Sequence, residues 1–263
     1  MTPEVIPWMS PCLSQSMSFA LAGIGHPMKF RRGDVIYTSP GLFGSLMYVR
    51  SGFVVKALLD PVRDEPLLLS MAGPGALCGN YENLYVRDRM PRRHWCLTST
   101  EVLVVNQELL LKIADQNPEW QHELSGYSSV SSICDRMGMF LNYSGTVEER
   151  LGALLLLMLH CEKPAAMANL FSKGVEWVEL PFYPDKGTIA RLLGCKFETV
   201  SDVVRQWVSH DDIRRRSRRI WLRRRTFLKY WEWLMPFMQQ SRAEERAAEA
   251  LRQARRREEY DSF

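Results

Sequence analysis

Long apolar segments are missing from this sequence of 263 residues. A helix that crosses a membrane needs about 18 or more consecutive apolar residues, and the longest apolar run, residues 151–159, is far shorter. Residues 1–27 also lack the basic segment followed by an apolar run that marks a secretory signal. We therefore expect a cytoplasmic protein that makes no membrane contact.

Closely spaced cysteines are missing as well. None of the six cysteines belongs to a C-x-x-C pair, so the sequence predicts neither a zinc site nor a cluster-binding motif. Scattered cysteines in a reducing compartment are commonly small, buried apolar groups, although a redox role for one of them stays open. The cysteines are at positions 12, 78, 96, 134, 161 and 195.

Signatures of catalysis are likewise missing. The five histidines are isolated, no spacing pairs a nucleophile with a base, and no glycine-rich loop could cradle a phosphate. An enzyme is therefore the function that the sequence supports least.

Residues 184–207 contain the clearest motif. Apolar residues recur at helical spacing on both sides of Gly194, which predicts two short helices joined by a tight turn. Glycine suits that turn because it adopts a positive φ without a Cβ clash. The pattern is that of a helix-turn-helix, whose second helix, over 196–205, would enter the major groove of DNA. The apolar positions are Ile189, Ala190, Leu193, Val200, Val203 and Val204.

The segment that follows is strongly basic. The run R-R-R-S-R-R at 214–219 lies between the apolar residues Ile213 and Ile220, which predicts a β-hairpin wing with its tip near Ser217. From 183 to 225 the chain has twelve basic and five acidic residues, a net charge of +7, whereas the whole chain carries +4. Positive charge is thus concentrated where a phosphate backbone would need it.

The N-terminal part of the chain has a different pattern. From Met28 onward, short β segments alternate with glycine-containing turns, which predicts an all-β roll or barrel. Three stretches carry a resemblance to a known family: R-R-G-D-V-I-Y-T-S-P-G-L-F-G-S-L-M-Y-V-R-S-G-F-V-V, L-L-S-M-A-G-P-G-A-L-C-G-N-Y-E, and G-C-K-F-E-T-V-S-D-V-V-R. Over residues 28–230 the sequence resembles the cyclic-AMP receptor and fumarate/nitrate regulator (Crp/Fnr) family of bacterial transcription factors.

The resemblance implies an α+β fold with an N-terminal cyclic-nucleotide-binding-like β-roll, a long dimerisation helix and a C-terminal winged helix-turn-helix. The expected divisions are an arm over 1–27, an effector-sensing roll over 28–117, a dimerisation helix over 118–145, a DNA-binding domain over 146–235 and a charged helical tail over 236–263. The tail pattern fits a solvated helix or a weak coiled coil.

The effector segment departs from the family pattern. Asn80 stands where the family has a Glu that binds the ribose, and R-R-H-W-C at 92–96 replaces the family's Arg-Ser pair for the phosphate. Because an amide lacks the charge that strengthens such an acceptor, we do not expect cyclic AMP in its usual pose, although Arg92 and Arg93 could hold an anion. The effector candidates are Gly79, Asn80, Tyr81, Glu82, Arg92, Arg93 and His94.

Two cofactors of the family can be considered from the residue types alone. The iron–sulfur members use clustered N-terminal cysteines, and this chain has only Cys12 there, so we expect no cluster. A haem would need an axial ligand in the roll, for which His94 and Cys78 are the candidates by type. We expect that neither binds haem, since lone residues of this kind are more often packed side chains.

Residues 118–143 show two adjacent helical stripes. The first runs through Trp120, Leu124, Tyr127, Ser131, Cys134, Gly138 and Leu141, and the second through Val130, Ile133, Met137 and Phe140. Such a helix can pack on its own domain with one stripe and on a partner helix with the other. The resemblance implies a homodimer through this helix; an amphipathic core helix of a monomer is the alternative.

The expected function is a sequence-specific regulator of transcription, controlled through the roll, that binds double-stranded DNA and contacts RNA polymerase. A ligand-independent nucleoid-type or RNA-binding protein is the alternative. Asp202 stands where the family commonly has Arg, so we expect an unusual half-site. The DNA-contact candidates are Lys186, Thr188, Lys196, Phe197, Glu198, Thr199, Ser201, Asp202, Arg205, Arg215, Arg216, Arg218 and Arg219.

Overall fold

A computed structural model describes residues 5–39, 45–60, 62, 66–85, 90–180, 182, 185–216 and 219–238. The predicted tail beyond Met238, the wing tip at Ser217 and the candidate Arg218 lie outside these residues. The fold is α+β, as the sequence predicts. Within the described part of the chain, no helix is long and apolar enough to cross a membrane.

Two antiparallel four-stranded sheets form the N-terminal β-roll. One sheet has the order β1-β8-β3-β6 and the other β2-β7-β4-β5. Their inward side chains, among them Val49, Val54 and Cys96, form a buried core. The strands are β1 (His26–Phe30), β2 (Val35–Thr38), β3 (Ser45–Ser51), β4 (Val54–Leu59), β5 (Pro66–Ala72), β6 (Leu77–Gly79), β7 (Arg92–Cys96) and β8 (Thr100–Asn106).

The N-terminal arm is part of the core, whereas the sequence shows only an arm and a short helix there. Trp8 and Met9 are fully buried, and the backbone of residues 8–10 hydrogen-bonds to Met71 of β5. Helix α1 (Gln15–Ile24) follows, capped by Ser14. The arm therefore lies against the roll rather than extending from it.

Helix α3 (Pro118–Ser144) is the longest element described. It follows a short 3₁₀ helix, η1 (Tyr81–Asn83), and α2 (Gln107–Ala114) in chain order. Asn117 caps its N-terminus, and Pro118 occupies the first turn, where its missing N–H has no cost. Six of the seven residues of the first predicted stripe are buried; Trp120 is half-buried. Gly138 in that stripe allows a close approach, since a Cβ there would lie 2.6 Å from the Trp8 ring.

The part of the chain after α3 begins at a capping box, in which Thr146 and Glu149 bond each other's backbone N–H. A three-stranded antiparallel sheet of order β10-β11-β9 flanks its helices. The rings of Trp207, Phe227 and Tyr230 pack against one another in tilted and edge-to-face arrangements in its core. The elements are α4 (Val147–Glu162), α5 (Pro164–Ala168), β9 (Trp177–Leu180), α6 (Lys186–Leu192), α7 (Phe197–Ser209), β10 (Ile213–Arg216), β11 (Arg219–Arg223) and α8 (224–238).

Candidate nucleic-acid interface

The turn between α6 and α7 sets the direction of the exposed helix. Gly194 has a φ of +60°, the left-handed region that glycine enters at little cost. The next residue, Cys195, donates its backbone N–H to the Ala190 carbonyl at 2.9 Å. Ile189, Leu193 and Val200 are buried around the turn. The predicted helix-turn-helix geometry is thus present, with α7 ending at Ser209 rather than at 205.

Asp185 organises the start of α6, and this changes the role of one candidate. Its carboxylate accepts the Thr188 backbone N–H at 2.8 Å and the Thr188 hydroxyl at 2.6 Å. Partial burial opposes ionisation of Asp185, but these hydrogen bonds, together with the nearby charges of Arg32 and Arg191, outweigh it and lower its pKa. Thr188 is only 5% exposed. The prediction that Thr188 contacts DNA is therefore not supported, because its hydroxyl is buried in the helix cap.

The outward face of α7 displays the predicted recognition residues. Lys196, at the N-cap, and Phe197, Glu198, Asp202 and Arg205 are exposed, while Thr199 and Ser201 are half-buried. Phe197 is 52% exposed, although it is a large apolar side chain. The Arg205 guanidinium lies 2.9 Å from the Asp202 carboxylate, and Lys186 of α6 reaches the Ser201 hydroxyl at 3.4 Å. The face thus carries charges of both signs and an exposed aromatic ring.

The arginines of the wing lie on a hairpin that is anchored by buried apolar residues. Ile213, Ile220 and Leu222 anchor the hairpin in the core, and Arg215, Arg216 and Arg219 are exposed. Arg219 pairs with Glu179 of β9 at 2.8 Å. Two of the predicted arginines therefore face outward on β10 and one on β11.

Arg214 is an additional basic residue of the wing that the sequence reasoning left out of the candidates. Its guanidinium lies 4.0 Å from the Trp177 ring centroid and makes two hydrogen bonds, of 3.0 and 2.8 Å, to Asp211. These bonds lower the pKa of the exposed Asp211 carboxyl. Arg214 thus stabilises the base of the wing, a role that no local sequence pattern indicates.

The second stripe of α3 is exposed toward its C-terminal end. Ile133 and Phe140 are exposed, as are the nearby Met139 and Tyr143, with Tyr143 exposed to 92%. Val130 and Met137 are half-buried. In a single chain, a row of large apolar side chains is therefore in contact with water.

A cluster around Arg150 joins α3 to the helix-turn-helix. The buried Arg150 donates from Nη1 to the carbonyl of Asn142 in α3 and, at 2.9 Å, to that of Leu193 at the end of α6. The Asn142 side chain donates to the Leu192 carbonyl at 3.0 Å and accepts from the Trp8 indole at 3.3 Å. The sequence reasoning missed these residues because their partners lie far along the chain.

Inside the roll, the predicted effector residues mostly bind one another. The Asn80 amide oxygen accepts from the Tyr37 hydroxyl at 3.0 Å. Arg92, 9% exposed, forms an ion pair with Glu82. The Gly79 N–H donates to Nδ1 of the buried His94 at 3.1 Å. Tyr81 is buried, and Arg93 is half-buried on β7.

Comparisons with known proteins agree with this architecture. No protein-family model matches the sequence, and no curated protein matches it significantly. Among solved structures, FixK2 from Bradyrhizobium japonicum is 19% identical, with 79% of this chain and 97% of that chain covered and a TM-score of 0.59. The CRP-family transcriptional regulator TTHB099 from Thermus thermophilus is 16% identical, with coverages of 77% and 95% and the same TM-score. This chain has the Crp/Fnr fold.

A third structure extends the likeness. A variant of CooA from Carboxydothermus hydrogenoformans is 16% identical, with 84% of this chain and 92% of that chain covered and a TM-score of 0.54. The Crp/Fnr fold thus accounts for the roll, the long helix and the winged helix-turn-helix together.

Within this Crp/Fnr fold, the interior of the roll does not suit an anion bound to Arg92. The Glu82 carboxylate already neutralises its guanidinium, and both side chains are largely buried. An anionic ligand that displaced Glu82 would leave that buried carboxylate with the Tyr81 hydroxyl but without a cation, which is costly. The ion pair with Glu82 competes with an anion at Arg92, and the expectations for Arg92, Arg93 and cyclic AMP stay predictions.

The tautomer of His94 does not suit a haem ligand. Because Nδ1 of His94 accepts the Gly79 N–H, the neutral ring carries its proton on Nε2, the atom that would ligate iron. Burial lowers the pKa of His94, and nearby Lys56 and Arg92 lower it further. Burial raises the pKa of the Cys78 thiol. In this arrangement Nε2 of His94 does not fit an axial ligand, and the expectation that Cys78 binds no haem stays a prediction.

Proposed function

We propose that this protein is a sequence-specific, DNA-binding regulator of transcription, and not an enzyme, and that it acts as a homodimer. One observation carries the proposal: the polar face of α7 is exposed beside a wing whose arginines point outward. A helix of this kind reads base edges in the major groove, and the arginines contact phosphates.

The roles within the interface follow from side-chain chemistry. Glu198 can accept a hydrogen bond from a cytosine amino group, and Arg205 can bond a guanine once it leaves Asp202. The remaining base-edge candidates on α7 are Lys196, Phe197, Ser201 and Asp202. Arg215, Arg216 and Arg219 would contact phosphates, together with Lys186 of α6 and Thr199 of α7. Arg218 stays a prediction, since it lies outside the described residues.

The homodimer is supported by the second stripe of α3. Ile133, Phe140 and Tyr143 are exposed along one side of the helix, and a parallel copy of α3 would cover them. Two recognition helices related by a two-fold axis would then meet half-sites about 34 Å apart, one turn of DNA. Contact with RNA polymerase and control by an effector in the roll stay predictions.

Selection from a library of randomised duplexes tests the proposal. We expect the full-length protein to enrich a two-fold symmetric site, with two chains bound per duplex in sedimentation analysis. Enrichment without any shared sequence would favour the alternative, a nucleoid-type protein. Preference for single-stranded or duplex RNA over DNA would favour an RNA-binding protein.

A further inference from the structure

Lys56 of β4 is a fully internal cation. The residue is only 1% exposed, although lysine is almost never fully buried unless it is paired. It points into the roll, where its strand neighbours are Ser70 on β5 and His94 on β7. In the sequence it is one residue of a β segment like any other, so its burial is the first indication of a special role.

Groups from three separate elements surround the Lys56 ammonium. Nζ donates to the Ser10 hydroxyl of the N-terminal arm at 3.1 Å and to the Ser131 hydroxyl of α3 at 2.9 Å. The carboxylate of Asp135, one turn further along α3, lies 3.5 Å away. The Tyr81 ring centroid lies 5.3 Å from Nζ. The ammonium therefore joins the arm, the roll and α3 at one point.

A second chain of contacts leads from this point to the predicted effector residues. The Tyr81 hydroxyl forms hydrogen bonds with Ser131 at 2.9 Å and with Glu82 at 2.7 Å. Glu82 in turn pairs with Arg92 of β7. Among the described residues, these two chains of contacts contain two cations, Lys56 and Arg92, each of which faces one carboxylate.

We propose that the Lys56 ammonium acts as an internal ligand of the roll, that is, as a charged group of the chain itself that takes the place of a diffusible small molecule. The ammonium holds the roll against α3 in the DNA-binding arrangement of the protein. A movement of α3 away from the roll would separate Lys56 from Ser131 and Asp135. Because a buried charge without its partner is strongly unfavourable, the observed arrangement is favoured over the separated one. This inference rests on the proposed DNA-binding function, and effector control is the alternative that the tests below distinguish from it.

Removal of small molecules is the first test. The full-length protein is unfolded in guanidinium, dialysed, refolded and compared with untreated protein for affinity to its selected duplex. We expect equal affinities and no stoichiometric compound in mass spectra of the extract. A loss of affinity that the small-molecule extract of the same preparation restores would overturn the inference.

Substitution of the internal charges is the second test. We expect Lys56→Met and Asp135→Asn to weaken binding to the selected duplex by about 5- to 150-fold, the range of typical allosteric coupling. Lys29→Met removes an exposed lysine of the roll and should leave the affinity unchanged. If Lys56→Met does not fold, the affinity of Asp135→Asn for the selected duplex tests the inference, since this change keeps the volume of the side chain. Wild-type affinity in a folded variant of either internal position would contradict the inference.

The two proposals can fail separately. If the wild-type protein prefers no duplex, the proposed function is wrong. The inference about Lys56 is then tested by comparing the thermal unfolding of the refolded protein, stripped of small molecules, with that of untreated protein. Equal melting temperatures would support the internal ligand, and a lower temperature for the stripped protein, restored by the extract, would refute it.

Discussion

Replacement of Arg150 by Met should uncouple the helix-turn-helix from α3. In the structure, one guanidinium nitrogen serves the carbonyls of Asn142 and Leu193. Both carbonyls lie at helix C-terminal ends, where they lack a partner within the helix and where a cation is favourable. Met preserves much of the apolar stem while it removes the donors and the charge, so the change isolates these bonds.

The magnitude follows from the number of bonds lost. A hydrogen bond to a charged group contributes about 1.5–3 kcal/mol. Arg150→Met removes the two bonds from Nη1 and a longer one, of 3.4 Å, from Nε to the Thr146 carbonyl. Part of the loss is recovered where water reaches the half-buried Asn142, so we expect the free energy of unfolding to fall by about 3 kcal/mol. Arg150→Lys keeps the charge but not the fork of donors, and should cost less.

Urea denaturation followed by circular dichroism measures the change, with affinity for the selected duplex as the second readout. The exposed Arg136 on α3 provides the matched control, since Arg136→Met removes a charge without a buried bond. A stability loss no larger than that of Arg136→Met, together with wild-type affinity, would refute the role given to Arg150.

Three further predictions concern the interface, the recognition helix and the roll. Ile133→Glu places a charge in the exposed stripe of α3 and should convert the dimer to monomer in sedimentation analysis; a stable dimer would exclude this face. Arg205→Ala should cost about 1–3 kcal/mol of binding and relax preference at one base position, which competition among duplex variants measures; a uniform loss across sequences would instead indicate a phosphate contact. Because burial holds the pKa of His94 below its ordinary value, only the unfolded chain gains this proton as the pH falls below about 6.5. Stability should therefore drop by about 1.4 kcal/mol per pH unit in the window between that value and the folded pKa. The slope should be reduced in His94→Gln and kept in the exposed His26→Gln; equal slopes in both variants would contradict this assignment.

Local patterns in the sequence were sufficient to predict the structural features that depend only on residues close together in the chain. The apolar spacing around Gly194 is sufficient to predict two helices and their turn, because the positive φ and the small core are local. The wing was predictable for the same reason, since Ile213 and Ile220 bracket the arginines. The buried and exposed stripes of α3 also follow from helical periodicity.

Contacts between distant parts of the chain could not be predicted in this way. Trp8 meets Gly138 and Asn142 across more than a hundred residues, and Lys56 meets Ser131 in a different element. The pairing of Arg92 with Glu82 also depends on how β7 approaches η1. The surroundings of the effector candidates depend on contacts of this kind, which no local pattern indicates, whereas the geometry of the helix-turn-helix is local.

The ratio of affinities for the selected duplex and a scrambled duplex, at one fixed salt concentration, tests the central claim most directly. Specific regulators bind their sites about 10³-fold or more tightly than unrelated DNA. We predict a ratio in that range for the wild-type protein. Equal affinities for the two duplexes would contradict the account, because they would leave only electrostatic attraction to phosphates.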